Sequence, residues 1–377
     1  MKDFLWILTL AVCLFSCNDE ENNNTQPVTT NNPLATRLDS LVHADVLDFA
    51  KKKSTAGLSI GILRNGQTHF YGYGETVEGN GKIPNENTIF EIGSISKTFT
   101  ASALALWAES KSIALNTPIN QFLPATIPTL SKDNQKIELL HLLNHTSGLP
   151  RLPNDIDDDW DPNNPYAKYD STRVYNYLKT YQLSRKPGAL FEYSNLGMGL
   201  AGRILEREKG MSYEQLIKQL ITQPLGMTKT KMTLTTEDLQ NAAQPHDKSG
   251  KVVPFWDWKA LAGAGALKST AKDMLLYAQK HLAAPTDDLG KAFQQMRNTT
   301  YSGKGTDGLD YKIGLAWFEL TIDNQQVWVH DGGTGGSSSF IFICPAKNLA
   351  MVFLSNNNTD AGAPTVAVEV FNDIIKL

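Results

Sequence analysis

A serine and a lysine three residues apart begin the stretch of this sequence best suited to covalent chemistry. Ser94 and Lys97 lie in residues 90–101, FEIGSISKTFTA. Residues three or four positions apart are neighbours on a helix surface, so the Lys97 amine can take the proton of the Ser94 hydroxyl. That step needs a partly desolvated pocket that lowers the pKa of the amine. The pattern predicts a nucleophilic serine on the first turn of a helix.

A second Ser-x-x-Lys pair is present at Ser269 and Lys272. There the run STAKD is typical of a helix start, with Thr270 as N-cap and Asp273 at the spacing of a capping box. We interpret this second pair as structural.

Two further segments supply polar groups suited to the same reaction. Tyr193 can carry a proton if neighbouring positive charge lowers its pKa, and Asn195 can hydrogen-bond a substrate amide. The run HDGG at His330, Gly332 and Gly333 is predicted to end a strand with an open backbone edge. An amide N–H of this strand, with that of Ser94, would form an oxyanion hole.

The remaining composition argues against metal, cofactor and nucleic acid. A net charge of -4 and a pI near 6.0 give no electrostatic reason to expect nucleic acid, and small substrates are favoured. His141 and His145 are spaced like a metal pair, but no acidic base lies between them and no third ligand is evident. We therefore expect local packing and hydrogen bonding for both, with no metal and no cofactor.

The first seventeen residues are predicted to direct export. Their apolar run, residues 4–15, is too short to cross a bilayer and is typical of a signal peptide. The ending LFSC resembles a bacterial lipoprotein box in which Cys17 is lipidated, and the alternative is an ordinary signal peptide cut elsewhere. The polar residues 18–33 are expected to be a flexible tether. These features predict a chain anchored by lipid to the bacterial cell envelope, on its periplasmic face or at the cell surface.

Periodicity predicts an α+β fold with a sheet built from both chain ends. A helix is expected over 34–53, a hairpin turns at Asn65-Gly66, and a buried helix covers 94–110. Later strands are expected at 311–321, 326–330, 337–344 and 349–355, and a terminal helix is expected at 364–377. Helices joined by long connections lie between them. The predicted α/β lobe therefore combines residues 34–125 and 300–377, and the inserted helical lobe covers 126–299.

Six ordered segments of the chain resemble one enzyme superfamily. They are GSISKTFTA, LLNHTSGLP, FEYSNLGMGLAGRILE, PLGM, AGAGALKSTAKDM and HDGGTGGSSSF. They are similar to motifs of the serine β-lactamases and penicillin-binding proteins, in the branch with class C β-lactamases, D,D-carboxypeptidases, D-aminopeptidases and related esterases. The resemblance covers nearly all of residues 35–377. It implies a β-lactamase/transpeptidase-like catalytic domain over 34–377.

The resemblance also implies roles for individual residues. Ser94 resembles the acylated nucleophile, Lys97 the adjacent amine, Tyr193 the general base and acid, and Asn195 the amide-binding partner. His330 occupies the place where class C β-lactamases carry Lys, and Asp331 replaces Thr. A neutral His binds a substrate carboxylate less well than Lys does, and an adjacent Asp repels one. A peptidase or esterase is therefore favoured over a dedicated β-lactamase.

The leading hypothesis is a serine hydrolase that works through an acyl-enzyme on Ser94. Its substrate would be a D-amino-acid peptide, a β-lactam or an ester, including a peptidoglycan-like peptide. The alternative is a penicillin-binding or cell-wall sensor protein that is acylated without turnover. We expect a monomer that meets the membrane only through its lipid anchor. Trp256 and Trp258 either line the cleft or pack beneath it, and packing is favoured.

Overall fold

The computed structural model describes residues 28–52, 57–159, 161–358 and 363–377. The predicted signal segment and the lipidation residue Cys17 lie outside these ranges. No helix within them is long and apolar enough to cross a membrane.

One large antiparallel sheet dominates the described part of the chain. Its eight strands run in the order β2-β1-β12-β11-β10-β9-β8-β7, and β3 pairs with β6 and β4 with β5 in two small ribbons. The strands are β1 (Leu58–Arg64), β2 (Gln67–Tyr73), β3 (Phe90–Glu91), β4 (Ser131–Lys132), β5 (Gln135–Lys136), β6 (Lys268–Ser269), β7 (Tyr301–Lys304), β8 (Asp310–Ile313), β9 (Phe318–Ile322), β10 (Gln325–Gly333), β11 (Ser338–Cys344) and β12 (Leu349–Ser355).

Helices cover both faces of the sheet, and most of them lie between β3 and β7 in the sequence. They are α1 (Arg37–Lys52), α2 (Ser96–Ser110), α3 (Leu139–Leu143), α4 (Ser171–Thr180), α5 (Asn195–Lys209), α6 (Tyr213–Ile217), α7 (Thr236–Gln240), α8 (Ala271–Leu282), α9 (Asp288–Met296) and α10 (Ala363–Ile374).

An inner strand of the sheet, β12, brings together strands from the N-terminal and C-terminal parts of the chain. β12 pairs with β1 over seven residues, from Leu58↔Ser355 to Arg64↔Leu349, and with β11 on its other side. Every residue of β12 is buried, as expected for a strand covered on both faces. Helices α1 and α10 pack together over one face and α8 over the other. The predicted α+β class and the sheet built from both chain ends are therefore confirmed.

Helix α2 is buried and is packed against several other helical segments. A short 3₁₀ turn, Gly93–Ile95, precedes it, so Ser94 lies in that turn and Lys97 in the first turn of α2. Residues 96–105 are all buried, and the helix contacts α5, α9 and the 3₁₀ segment Lys259–Ala264. The prediction of a buried helix is confirmed, although its α-helical part begins two residues after Ser94.

Two local predictions were wrong. The segment expected as one strand over 311–321 is two strands, β8 and β9, because the chain turns between them with Ala316 at φ 62°. The predicted tether also ends too late, since Thr30 bridges β2 and its hydroxyl donates to the Gly72 carbonyl at 2.7 Å. Asn32 is buried and donates to the Tyr73 hydroxyl at 2.7 Å. Side-chain hydrogen bonds thus hold Thr30 and Asn32 against β2. Both residues have little apolar surface, so their hydrophobicity does not predict this position.

Candidate active site

The Ser94 hydroxyl and the Lys97 amine are in direct contact. Lys97 Nζ lies 2.9 Å from Ser94 Oγ and donates to the Ala264 carbonyl at 2.6 Å. The second Ser-x-x-Lys pair does not form such a site. Ser269 is buried in β6 against the Thr230 hydroxyl, and Thr270 caps α8 by accepting from the Asp273 N–H at 3.1 Å.

Lys97 is completely buried, and this determines its protonation. Burial lowers the pKa of the amine well below its usual value, the Arg151 charge lowers it further, and only Asp331 acts in the opposite sense. Burial therefore favours the uncharged amine over the ammonium form. Such an amine can donate to the Ala264 carbonyl and keep its lone pair for the Ser94 proton.

Tyr193 stands beside this pair. Its ring centroid is 4.7 Å from Lys97 Nζ and 5.1 Å from the Arg151 guanidinium carbon. Burial raises its pKa, and this outweighs the opposing effects of Arg151 and of a hydrogen bond to the Ser94 side chain. Positive charge therefore does not lower the pKa of Tyr193 as the sequence suggested, and the phenol keeps its proton.

His145, which sequence reasoning did not assign to the site, holds Tyr193 in place. The two rings stack at 4.4 Å between centroids. His145 Nδ1 accepts from the Ser194 N–H at 3.1 Å, and its carbonyl accepts from the Glu192 N–H at 2.8 Å. The backbone on both sides of Tyr193 is thus fixed by one residue. The motif LLNHTSGLP contained this signal, but the sequence led us to expect only local packing and hydrogen bonding for His145, and no contact with Tyr193.

Asn195 is the first residue of α5, directly after the capping residue Ser194. The Ser194 hydroxyl accepts from the Gly197 N–H at 2.8 Å, which starts the helix at this point. Asn195 is 3% exposed, and its Oδ1 has no hydrogen-bond donor among the described residues. It also lines the pocket that contains Ser94. A buried acceptor in this position can bind an N–H group of a substrate.

The end of β10 lies against the turn that carries Ser94. A Cβ built on Gly332 would lie 2.2 Å from the Ile92 carbonyl oxygen and 2.9 Å from Ser94 N, and one built on Gly93, at φ 44°, would lie 2.8 Å from Gly333 N. Only glycine permits this approach. Because the pairing of β9 with β10 stops at Phe318↔Val329, the edge beyond Val329 has no strand partner there among the described residues. This edge, with the nearby N–H groups of Ser94 and Gly333, is suited to bind a substrate carbonyl.

His330 and Asp331 give this strand end no positive charge at neutral pH. His330 is 1% exposed, and its pKa is lowered to about 3 by burial and, to a smaller extent, by repulsion from Lys97 when that amine is protonated. Its Nδ1 lies 2.6 Å from the Asp331 carbonyl oxygen. The Asp331 side chain faces the pocket, and burial raises its pKa to about 6. At neutral pH this strand end therefore carries a carboxylate and an uncharged imidazole.

A pocket of about 690 Å³ opens in front of Ser94. Its walls are largely aromatic, and Arg151 adds a guanidinium group. The prediction that Trp256 and Trp258 pack beneath the cleft was wrong, because both line the pocket, where Tyr166 stacks on Trp258 at 4.3 Å between centroids. The other lining aromatic residues are Phe191, Tyr193, Tyr311 and Phe340.

The buried carboxylate of Glu91 forms hydrogen bonds to two walls of this pocket. Glu91 accepts from the Trp256 N–H at 2.7 Å and from the Thr334 hydroxyl at 2.6 Å. Burial raises its pKa, while the nearby Lys268 ammonium acts in the opposite sense. Glu91 thus connects the aromatic wall to the loop that follows β10.

The two histidines considered as a metal pair form local hydrogen bonds instead. His141 Nδ1 accepts from the Glu138 N–H at 3.1 Å, and His145 Nδ1 from the Ser194 N–H. Within residues 28–52, 57–159, 161–358 and 363–377, no group of three or more His, Cys, Asp or Glu side chains is arranged to hold a metal ion.

Comparison with known sequences places the chain in a family. The family described as Beta-lactamase matches residues 42–370. The chain belongs to the beta-lactamase family. A Beta-lactamase of Pseudomonas fluorescens is 27% identical to it over 357 residues, covering 86% of this chain and 95% of that protein. The D-alanyl-D-alanine-carboxypeptidase/endopeptidase AmpH of Escherichia coli K12 is 26% identical over 307 residues, covering 78% and 77%.

Solved structures show the same fold. A Beta-lactamase/D-alanine carboxypeptidase from Yersinia pestis superposes on this family member with a TM-score of 0.76 at 24% identity, covering 89% of this chain and 99% of that one. A class C beta lactamase from Rhodobacter sphaeroides gives a TM-score of 0.74 at 21% identity, with 89% and 99% coverage. The predicted family and β-lactamase/transpeptidase-like fold are confirmed. Membership supports the predicted class of serine hydrolase, of β-lactamase or D,D-carboxypeptidase type.

The close approach at Gly332 leads to a testable difference between two adjacent glycines. We expect Gly332→Ala to lower the free energy of unfolding by about 1–3 kcal/mol, as overpacked sites do, because the added methyl group meets the backbone. Gly333→Ala is the matched control, since the nearest atom to its Cβ would be the Ser337 carbonyl oxygen at 4.0 Å. Denaturant unfolding of both variants measures the difference. Equal stability of the two would contradict the assigned contact.

Proposed function

We propose that this chain is a serine hydrolase in which Ser94 forms an acyl-enzyme. The contact between Ser94 and the buried, uncharged Lys97 carries this proposal. The free amine takes the Ser94 proton as the hydroxyl oxygen attacks the substrate carbonyl, and the N–H groups of Ser94 and Gly333 stabilise the oxyanion. Asn195 orients an amide of the substrate.

The proton balance assigns a task to Tyr193. When the tetrahedral intermediate collapses, the protonated phenol donates to the leaving group and regains a proton from the Lys97 ammonium beside it. Water then attacks the acyl carbonyl, and its proton returns through the same groups to the Ser94 oxygen. The acid is released and the resting site is restored. His145 contributes by holding the Tyr193 ring and its flanking backbone.

We propose esters, and D-amino-acid peptides that place no carboxylate beside the β10 strand end, as substrates ahead of β-lactams. The named relatives include a β-lactamase and a D-Ala-D-Ala carboxypeptidase, so both reactions fall within the range of the fold. The strand beside the site carries His330 and Asp331, which offer no positive charge to a substrate carboxylate. Substrates without a carboxylate at this place should therefore be hydrolysed faster.

Mass spectrometry of the intact protein tests the acyl-enzyme. After brief exposure to a penicillin or an activated ester, we expect a covalent adduct in the wild type and none in Ser94→Ala. Ser269→Ala is the matched control, because it removes the serine of the other Ser-x-x-Lys pair. Decay of the adduct with release of product indicates a hydrolase, and a lasting adduct indicates an acylated sensor. An adduct that survives in Ser94→Ala would refute the proposed nucleophile.

The pH dependence of acylation tests the role of Lys97. A protonated amine cannot accept a proton, so the acylation rate should fall as the pH is lowered through the pKa of Lys97. Because burial depresses this pKa, we expect the full rate already at neutral pH. Stopped-flow measurement should show Lys97→Met slowed by roughly 10²-fold or more, without this titration. A rate that rises only near the ordinary lysine pKa of about 10.4 would exclude a neutral amine.

We further propose that the chain is exported and anchored by a lipid on Cys17. The sequence LFSC after an apolar run supports this, together with the polar residues that follow. Expression in a bacterium with labelled palmitate should give a labelled protein in the membrane fraction, while Cys17→Ser should be unlabelled. Labelling of both, or of neither, would contradict the anchor.

A further inference from the structure

The pocket contains a carboxylate that no side chain of the described residues neutralises. Asp331 is half-buried, lies near the end of β10 and lines the pocket that holds Ser94. Across the parts of the chain that the structure describes, no ion pair and no side-chain hydrogen bond to its carboxylate is found. Arg151 and Lys97 act on this acid electrostatically, but neither forms a direct pair with it in the described residues, and a buried carboxylate without a direct partner is costly.

The surrounding groups leave this negative charge in place at neutral pH. On the same strand, His330 is uncharged because burial lowers its pKa to about 3. Burial also lowers the pKa of Lys97, which disfavours its ammonium form, and it raises the pKa of Tyr193, which keeps the phenol protonated. Arg151 is cationic and acts to lower the pKa of Asp331, but its guanidinium lies over the Tyr193 ring and forms no ion pair with Asp331 among the described residues. The other charged residues that line the pocket are Glu192, Asp247, Lys248 and Asp307.

An aromatic ring adjoins the carboxylate. In the antiparallel pairing of β10 with β11, Asp331 is directly opposite Phe340, which places the two side chains on the same face of the sheet with Cβ atoms about 5 Å apart. Phe340 is half-buried and lines the pocket as well. A carboxylate beside an aromatic face is a combination that binds ammonium groups, by charge and by the cation–π interaction.

This pair also lies at a suitable distance from the reacting centre. Asp331 precedes Gly333 by two residues on an extended strand, so their Cα atoms are about 6.8 Å apart. A substrate whose carbonyl oxygen binds at Gly333 N could therefore place a group a few bonds away against Asp331 and Phe340.

We propose that Asp331 and Phe340 form a subsite for a cationic, ammonium-type group of the substrate, which selects against substrates with a carboxylate at that place. The inference rests on the proposed acyl-enzyme function and specifies its substrate class. The cation would lie beyond the scissile bond, along the open edge of β10.

Three acetate esters of similar size test this selection. Acetylcholine carries a quaternary ammonium group beyond an ethyl spacer, 3,3-dimethylbutyl acetate is its uncharged counterpart, and 3-acetoxypropanoate carries a carboxylate. Binding to Ser94→Ala by NMR titration requires no turnover. We expect acetylcholine to bind about tenfold more tightly than the uncharged ester, and the carboxylate to bind most weakly. The wild-type protein should show the same order in kcat/KM.

Substitutions identify the groups responsible. Asp331→Asn should remove most of the preference for acetylcholine over the uncharged ester, and Phe340→Leu should remove a smaller part of it, because the aromatic face is lost. The ratio of the two affinities cancels any general loss of binding. Asp247→Asn is the matched control, since it removes another acidic side chain that lines the pocket but is already hydrogen-bonded to the Ser249 hydroxyl at 2.6 Å. Its ratio should equal that of the parent.

The outcomes separate the subsite from the proposed reaction. Equal affinities for the three esters, or an equal change of the ratio in Asp331→Asn and Asp247→Asn, would overturn the subsite while the Ser94 adduct still establishes the hydrolase. Selective binding of acetylcholine without any Ser94 adduct would support the subsite and refute the enzyme. Because burial raises the pKa of Asp331 to about 6, the preference should also weaken below pH 6, and do so only while Asp331 is present.

Discussion

The burial of one amine is the constraint on which the rest of the site depends. Lys97 is fully buried because α2 is enclosed by α5, α9 and the segment Lys259–Ala264, and this burial lowers the pKa of its amine. The same enclosure supplies the Ala264 carbonyl that fixes the direction of the lone pair. The helical region between β3 and β7 therefore supplies the burial that favours an uncharged lysine side chain at this position.

Around this amine, backbone contacts set distances that side chains alone would leave loose. Gly93 and Gly332 let the Ser94 turn touch the end of β10, and His145 fixes the backbone on both sides of Tyr193. Glu91 extends the same rigidity to the loop after β10 and to the Trp256 wall. The groups of the candidate site thus come from several distant parts of the chain, and these contacts fix their positions relative to one another. Such an arrangement favours preorganised catalysis.

Sequence reasoning reached the fold and the grouping of Ser94, Lys97, Tyr193 and the β10 end because motifs and periodicity are local signals. It could not give the pKa direction at Tyr193, which depends on the balance between complete burial and nearby charges. It also missed His145, whose role arises only when a distant segment docks against it. The pocket position of Trp256 and Trp258 was mispredicted for a related reason, since hydrophobicity does not distinguish a buried wall from a buried core.

The strand order has a consequence for how the protein is made. Among the residues that the structure describes, the hairpin of β1 and β2 pairs with the rest of the sheet through β12, which is the last strand in that part of the chain. The first strands must therefore wait for almost the whole polypeptide before their exposed edge is covered. Contacts between residues so far apart in sequence slow folding. The pairing of β1 with β12 can therefore form only after nearly the whole polypeptide has been synthesised.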